Sequence, residues 1–574
     1  MIKKFILQGR RILISPQTGI LSAASVIMFM IIISRSLGLI RQRVLAHFFP
    51  ASELSIFFAA FRLPDSVFEV LVFGTFSSAF IPVFTKAIKK GKKEAWDIAS
   101  TVVNISFLIF VFVALLLIIG AKRLYEVFAP GYDALELEKI TQITKVLFAA
   151  QGFFVISYVL TGVLESLKRF LIPALAPLFY NLGIILGTIL FSSKLGLMAP
   201  ALGVVFGAFF HFLIQLPLAI KLGFRFNGTF KLSEDVRKIG KLAAPRVVEV
   251  SFLQVLKTAE LFFSSLISKA AYTYYTFGNS LQLLPVGLFG TSIAKAALPT
   301  LASYSDEKEK FKKILFSALY DMAFFVMPTV TILIILRVPI IRLIYGTNIF
   351  TWEATVQTGY VLTAFAIGVF FQTASAILAR SFYAMHDTKT PVIISVSSIL
   401  IVILFDFIFI EILKFDVWGL SLAFSLGSFF QAFLLFYLIN KKINGAKLIE
   451  ASLPYFKSTL ASVASGSVMY FLLKIFDKSV WVKKLSFLGK IEAAKNLAFE
   501  RFVLDTRYTS NLVVLTFFVS LVGGLVYILV SILLKSEQVW NFFSLIKRVL
   551  GRRIAPIPPR ESEPVSPAPT DVTS

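Results

Sequence analysis

Apolar residues run along this chain in long blocks, and polar residues collect in short gaps between them. Fourteen blocks have the length of a bilayer-spanning helix, about 20 residues. They lie near 20–47, 53–85, 97–121, 140–167, 171–194, 198–221, 242–268, 275–301, 312–345, 355–385, 390–413, 417–440, 454–476 and 510–534. The pattern predicts an all-α polytopic membrane protein.

The gaps alternate in charge. After even-numbered spans come "KAIKKGKK" (86–93), "KRF" (168–170), "KLGFRFNGTFKLSEDVRKIGK" (221–241), "SDEKEKFKK" (305–313), "HDTK" (386–389) and "KKINGAK" (441–447). After most odd-numbered spans the loops are poorer in base, as in "PASE" (50–53) and "YGTNIFTWEAT" (345–355). Basic loops stay cytoplasmic, which places both termini there. The loop 477–509 carries seven lysines and arginines on the expected outer side and is the exception.

The chain also repeats itself. "VLVFGTFSSAFIPVF" (70–84) resembles "VGLFGTSIAKAALPTL" (286–301), and "LKRFLIPALAPL" (167–178) parallels "YAMHDTKTPVII" (383–394) as a polar elbow with proline opening the next span. An offset near 216 residues contains six spans, an even number, so the repeats share one orientation. The expected organisation is a cytoplasmic segment 1–19, an N-lobe 20–225, a linker 226–241, a C-lobe 242–447, two extra helices within 448–540 and an unstructured Pro-rich tail 541–574.

Composition agrees: 57% of residues are hydrophobic, 62 are Phe, and the mean hydropathy is +0.83, against about 45–50% apolar in a soluble domain. The net charge of +25 sits mostly in the short loops, which fits membrane topology and anionic lipid headgroups rather than nucleic acid. There is no cysteine, which excludes disulfides and thiolate metal sites, and His47, His211 and His386 lack metal-ligand spacing. No phosphate-binding loop, HExxH or G-x-S-x-G motif is present, so neither an enzyme nor an ATP-driven pump is supported, and no cofactor is expected.

The chemistry lies in charges inside the spans, which are costly in hydrocarbon and face protein or an aqueous cavity. Span 1 carries Arg35, Arg41, Arg43 and His47. Span 2 carries Arg62, Asp65 and Glu69 at spacings of three and four, on one helical face, with Pro64 bending that helix. Asp65 is the expected partner of Arg62. Span 7 carries Arg246 and Glu249, then Lys257 and Glu260, each pair three apart and so placed for internal ion pairs. Arginines facing a cleft suit a phosphate group, which guanidinium grips with two hydrogen bonds. Acids without a nearby base, among them Asp406, suit a proton or sodium ion.

Seven segments together resemble the MurJ (MviN) family of lipid II flippases, within the multidrug/oligosaccharidyl-lipid/polysaccharide exporters. They are "SRSLGLIRQRVLAHFF" (34–49), "FFAAFRLPD" (57–65), "GTFSSAFIPVF" (74–84), "APGY" (129–132), "PALAPLFYN" (173–181), "LPVGLFGTSIAKAALPTLA" (284–302) and "ARSFYAMHDTKTPV" (379–392). The resemblance implies fourteen helices, in two six-helix lobes plus two that form a lipid-tail groove. It implies a monomer of the bacterial plasma membrane that moves an undecaprenyl-pyrophosphate-linked peptidoglycan precursor to the outer leaflet. Membrane lipids and cell-wall synthesis proteins are the further partners it implies. Arg35, Arg41 and Arg62 match basic positions of the family. Glu260 and Asp406 fall at or near its sodium-binding positions, with sodium, protons or membrane potential as the driver. The chain departs from the family at Gln42 and Ser55, where relatives carry acids, at Phe68, Glu69 and Phe73, and at Ser280, where they carry an arginine. Arg43, Arg246 or Lys257 would then supply the missing positive charge. Two alternatives stand beside this reading: a flippase for another polyprenyl-linked glycan or a drug/cation antiporter, and a non-transporting scaffold for cell-wall proteins.

Overall fold

The computed structural model describes residues 20–443, 448–477 and 503–551. Among these there is no β-strand, only an isolated bridge between Asp477 and Leu504. In chain order the helices are α1 (Ile20–Phe48), α2 (Ala51–Ala60), α3 (Arg62–Phe68), α4 (Gly74–Lys90), α5 (Lys92–Phe128), α6 (Ala134–Ser166), α7 (Leu171–Leu195), α8 (Met198–Leu213), α9 (Leu216–Leu222) and α10 (Glu234–Ile267). The second half continues with α11 (Ala271–Pro285), α12 (Ser292–Ser303), α13 (Lys308–Ile335), α14 (Arg337–Tyr345), α15 (Trp352–Ala384), α16 (Lys389–Phe407) and α17 (Trp418–Lys442). The helices α18 (Leu448–Phe476), α19 (Thr509–Leu533) and α20 (Glu537–Gly551) follow.

Twelve helical stretches among the described residues, from Lys92–Phe128 to Thr509–Leu533, are long and apolar enough to cross a membrane. They correspond to expected spans 3–14. Expected span 1 is the 29-residue helix α1, and expected span 2 is helical but broken twice, at Phe61 and at Glu69–Phe73. Large apolar side chains point away from the protein, Ile119 at 85% exposure and Phe517 at 69%. Such a surface suits lipid rather than water. Polar caps mark helix starts in the loops. Asp133 and Glu136 form a reciprocal capping box at α6, both hydrogen bonds 2.9 Å, and Ser233 and Thr351 cap α10 and α15.

The repeat is visible in the backbone. A wide π-helical turn occupies Glu69–Phe73 ahead of Gly74, and another occupies Val286–Thr291 around Gly290. The elbows match as well. Lys168 (φ 59°) and His386 (φ 58°) each adopt the left-handed conformation just past a long helix. Each elbow closes with a bond from the next residue five positions back, Arg169 N to Leu164 O at 2.8 Å and Asp387 N to Phe382 O at 3.0 Å. Pro173 and Pro391 then sit third in the next helix, where no intrahelical donor is needed.

Two boundaries differ from expectation. Residues 234–241, expected as linker, are the first two turns of α10, started by the Ser233 cap. Residues 541–551, expected as unstructured tail, lie in α20, whose Val539 is buried and whose Phe542 packs on Phe324 and Phe325. The basic stretch 478–502, the segment 1–19 and the tail 552–574 lie outside the described residues.

Candidate functional site

The break in span 2 builds the site. Pro64 has no N–H, so the carbonyl of Ala60 loses its helical donor. Tyr125 Oη and Thr144 Oγ1 donate to that carbonyl instead, at 3.2 and 3.0 Å. The Ala60 carbonyl is thereby satisfied from two other helices, and α3 starts beside it with Arg62 as its first residue.

Arg62 is buried at 6% exposure. Its guanidinium donates to Ser66 Oγ, from Nε at 3.4 Å and Nη2 at 3.2 Å, and Nη2 also donates to Gln254 Oε1 of α10. The same Gln254 turns its Nε2 to Glu69 Oε2 at 2.5 Å. Lys257, one turn further on, donates to both Glu69 oxygens, at 2.9 and 2.7 Å. Arg62, Gln254, Glu69 and Lys257 thus form one network joining the two halves of the molecule.

This corrects two expected pairings. Asp65 is not hydrogen-bonded to Arg62; it accepts from Gln151 Nε2 of α6 at 2.5 Å. Lys257 and Glu260 do not pair with each other, because Glu69 reaches Lys257 from the other half. Glu260 instead accepts from Tyr275 Oη. The π-turn begins only at Glu69, whose N–H still bonds the Asp65 carbonyl, so the two acids keep one helical face and differ in the partners that reach them, Gln151 from α6 and Lys257 from α10.

The span 1 arginines separate. Arg35 is exposed. Arg41 lies over the ring of Tyr180, 5.8 Å from its centroid, with its Nε unpartnered. Arg43 donates to the last carbonyls of α14, Leu343 O at 2.6 Å and Ile344 O at 3.4 Å, which complements that helix end. The side chain of Arg246 lies outside the described residues. Asp406 is fully buried with both carboxylate oxygens unpartnered, on α16, which packs against the α10 that carries Glu260. Such orphaned oxygens fit a bound cation or proton.

Three positions read in the sequence as lost charges bond across the two halves, two of them to each other. Gln42 Nε2 donates to Ser280 Oγ at 2.8 Å, and Tyr345 Oη donates to Gln42 Oε1 at 2.9 Å. Ser55 Oγ meets Thr273 Oγ1 at 2.9 Å. At the same end, Lys269 bridges Asp133 and Glu136 at 2.8 and 2.9 Å, and Gly131 N donates to Ser265 Oγ at 3.2 Å. These contacts latch the two halves at one end of the molecule. Sequence reasoning missed Gln151 and Gln254 altogether. The available signal was an amide inside an apolar run, as in "FAAQGFF" (148–154).

Two matched halves joined by a charged network inside the spans define a multi-pass transporter. An inward-facing multidrug resistance MATE family transporter of the MOP superfamily shares the fold, with a TM-score of 0.60 and 15% identity over 72% of this chain and 94% of that one. The family model of the lipid II flippase MurJ matches residues 44–491, and the chain belongs to that family. It is therefore a transporter and not an enzyme. A probable lipid II flippase MurJ of Borreliella burgdorferi is 26% identical over 471 residues, covering 79% of this chain and 89% of the relative. A second, from Vibrio cholerae, is 25% identical over 479 residues, covering 81% and 90%. A solved lipid II flippase MurJ in an inward closed conformation superposes with a TM-score of 0.71 at 25% identity, over 92% of this chain and 99% of that one.

Proposed function

We propose that this chain carries lipid II, the polyprenyl-pyrophosphate-linked peptidoglycan precursor, from the inner to the outer leaflet of the bacterial plasma membrane by alternating access. Both termini are cytoplasmic in this reading, the chain works as a monomer, and the prenyl tail runs along α18 and α19. The observation that carries it is Arg62. Its buried guanidinium is held by neutral side chains, and among the described residues no carboxylate pairs with it. A buried guanidinium at the junction of the halves, with no carboxylate bonded directly to it, is suited to a pyrophosphate. Arg41, half-buried over Tyr180, is the second basic group of this reading, and Lys257 the third once Glu69 releases it. Glu260 and Asp406 are the groups for a coupling sodium ion or proton, which would supply the asymmetry that makes transport directional.

The test is flipping of purified lipid II in proteoliposomes, with and without a sodium gradient. Charged hydrogen bonds are worth about 1.5–3 kcal/mol each. Arg62→Ala is expected to slow flipping at least about tenfold. Arg62→Lys is expected to recover part of the loss, because a point charge replaces the two-pronged fork. Full-rate flipping by Arg62→Ala removes the cationic-cleft reading.

A further inference from the structure

Beside the inter-half network lies a cavity of about 240 Å³, lined by Asp65, Phe68, Glu69, Gln151, Phe154, Tyr158, Pro177, Tyr180 and His211. It lies within the first half of the molecule, away from Glu260 and Asp406. Its walls are aromatic and meet at steep angles. Phe68 and Tyr158 are 5.1 Å apart at 66°, and Phe154 and Tyr180 are 5.3 Å apart at 70°. Carboxylates close the other side.

Gln151 gives the second, independent sign of a ligand. It is 4% exposed, and its Oε1 has no hydrogen-bond partner. Its orientation is fixed, because the amide nitrogen donates to Asp65, and the reverse would set two acceptors against each other. A buried carbonyl oxygen without a donor is costly. Asp65, for its part, makes no ion pair among the described residues. The box therefore offers three acceptors, the carboxylates of Asp65 and Glu69 and the Gln151 carbonyl, beside aromatic rings. Oxygen ligands for a bare metal ion must converge at about 2.0–2.6 Å, and rings cannot supply them. Rings with a carboxylate suit an organic ammonium ion.

Glu69 gives the box a consequence. It lines the cavity and also holds Lys257 of the other half at 2.7 Å. We propose that this box binds an alkylammonium group between Asp65, Gln151 and the rings of Phe68, Phe154, Tyr158 and Tyr180, and that its occupant competes with Lys257 for Glu69. Occupancy then loosens the bridge between the halves. The proposal does not rest on the transport reading, since binding can be read on the purified protein without any flipping.

The experiment is calorimetric titration of the full chain with ethylammonium and tetramethylammonium, with sodium as the control cation. Saturable ammonium binding is expected. Asp65→Asn should weaken it about tenfold or more, and Lys257→Met should tighten it several-fold by freeing Glu69. Gln151→Leu gives an independent reading of the box should Asp65→Asn fail to fold. Nanodiscs of phosphatidylethanolamine and of phosphatidylglycerol separate the sources. Weaker apparent binding of the probe in the first identifies a lipid amine as an occupant, and equal binding in both excludes the lipid amine and leaves a soluble or cargo-borne ammonium as the occupant. Absence of saturable binding, wild-type binding in both Asp65→Asn and Gln151→Leu, or saturation by sodium alone overturns the site. No tightening in Lys257→Met overturns the competition.

Discussion

At the scale of single residues, each charge inside the spans is defined by its partner. Glu69 and Lys257 show this best. Their side chains are 27% and 39% exposed, so the bridge is partly solvated, and its worth is set at about 0.5–1 kcal/mol rather than the larger value of a dry pair. Glu69→Gln and Lys257→Met are each expected to lower thermal stability in detergent slightly. The double variant should cost less than the sum of the two. Strictly additive losses in that cycle would show that the bridge contributes nothing. The residues of this site were half legible in the sequence. Arg62, Asp65 and Glu69 were conspicuous because ionisable groups are rare in apolar spans. Their partners were not, because Gln151 is 86 positions from Asp65 and Gln254 is 192 from Arg62. Neutral amides leave only a faint mark on hydropathy.

At the scale of elements, helix–helix approach in this chain depends on glycine. Gly183 and Gly187 of α7 face Gly203 and Gly207 of α8, each pair four residues apart. A Cβ on Gly183 would lie 2.5 Å from Gly207 Cα, and one on Gly187 would lie 2.7 Å from Gly203 Cα. Those neighbours are backbone and cannot move aside, so the helices must separate. Gly207→Ala, whose Cβ would lie 2.7 Å from Tyr180 O, is expected to cost about 1–3 kcal/mol as overpacking. It would also shift Tyr180, which carries Arg41 on its ring. The check is a thermal melt in detergent together with accessibility of the α7–α8 seam. An unchanged melting point would mean the helices do not pack this closely. Elements were the most legible level, because a span is announced by its own apolar length. What hydropathy could not convey was α20, a helix with one apolar face only, since its docking surface comes from α13 and α19.

At the scale of the molecule, the question is which end must open. The contacts Gln42–Ser280, Ser55–Thr273 and Gly131–Ser265 all join the halves at one end, the outer end if the basic loops are cytoplasmic. A Cβ on Gly131 would fall 1.8 Å from Ser265 O, so the two halves touch there backbone to backbone. The neutral character of this latch follows from paired changes. Where the resemblance places an acid at 42 and an arginine at 280, this chain has Gln and Ser bonded to each other, so neither residue leaves a charge stranded. A transporter that alternates must break these bonds in every cycle. The chain has no cysteine, so a pair can be introduced without background. Ser55 and Thr273 are the best positions, with side-chain oxygens 2.9 Å apart, a spacing from which two sulfurs can close to a bond of about 2.0 Å. Ser55→Cys with Thr273→Cys is expected to flip substrate when reduced, to lose at least about tenfold in rate when oxidised, and to regain it with reductant. Each single variant should be indifferent to oxidant. If the fully cross-linked protein flips at the reduced rate, this end does not open during transport, and the exit lies elsewhere.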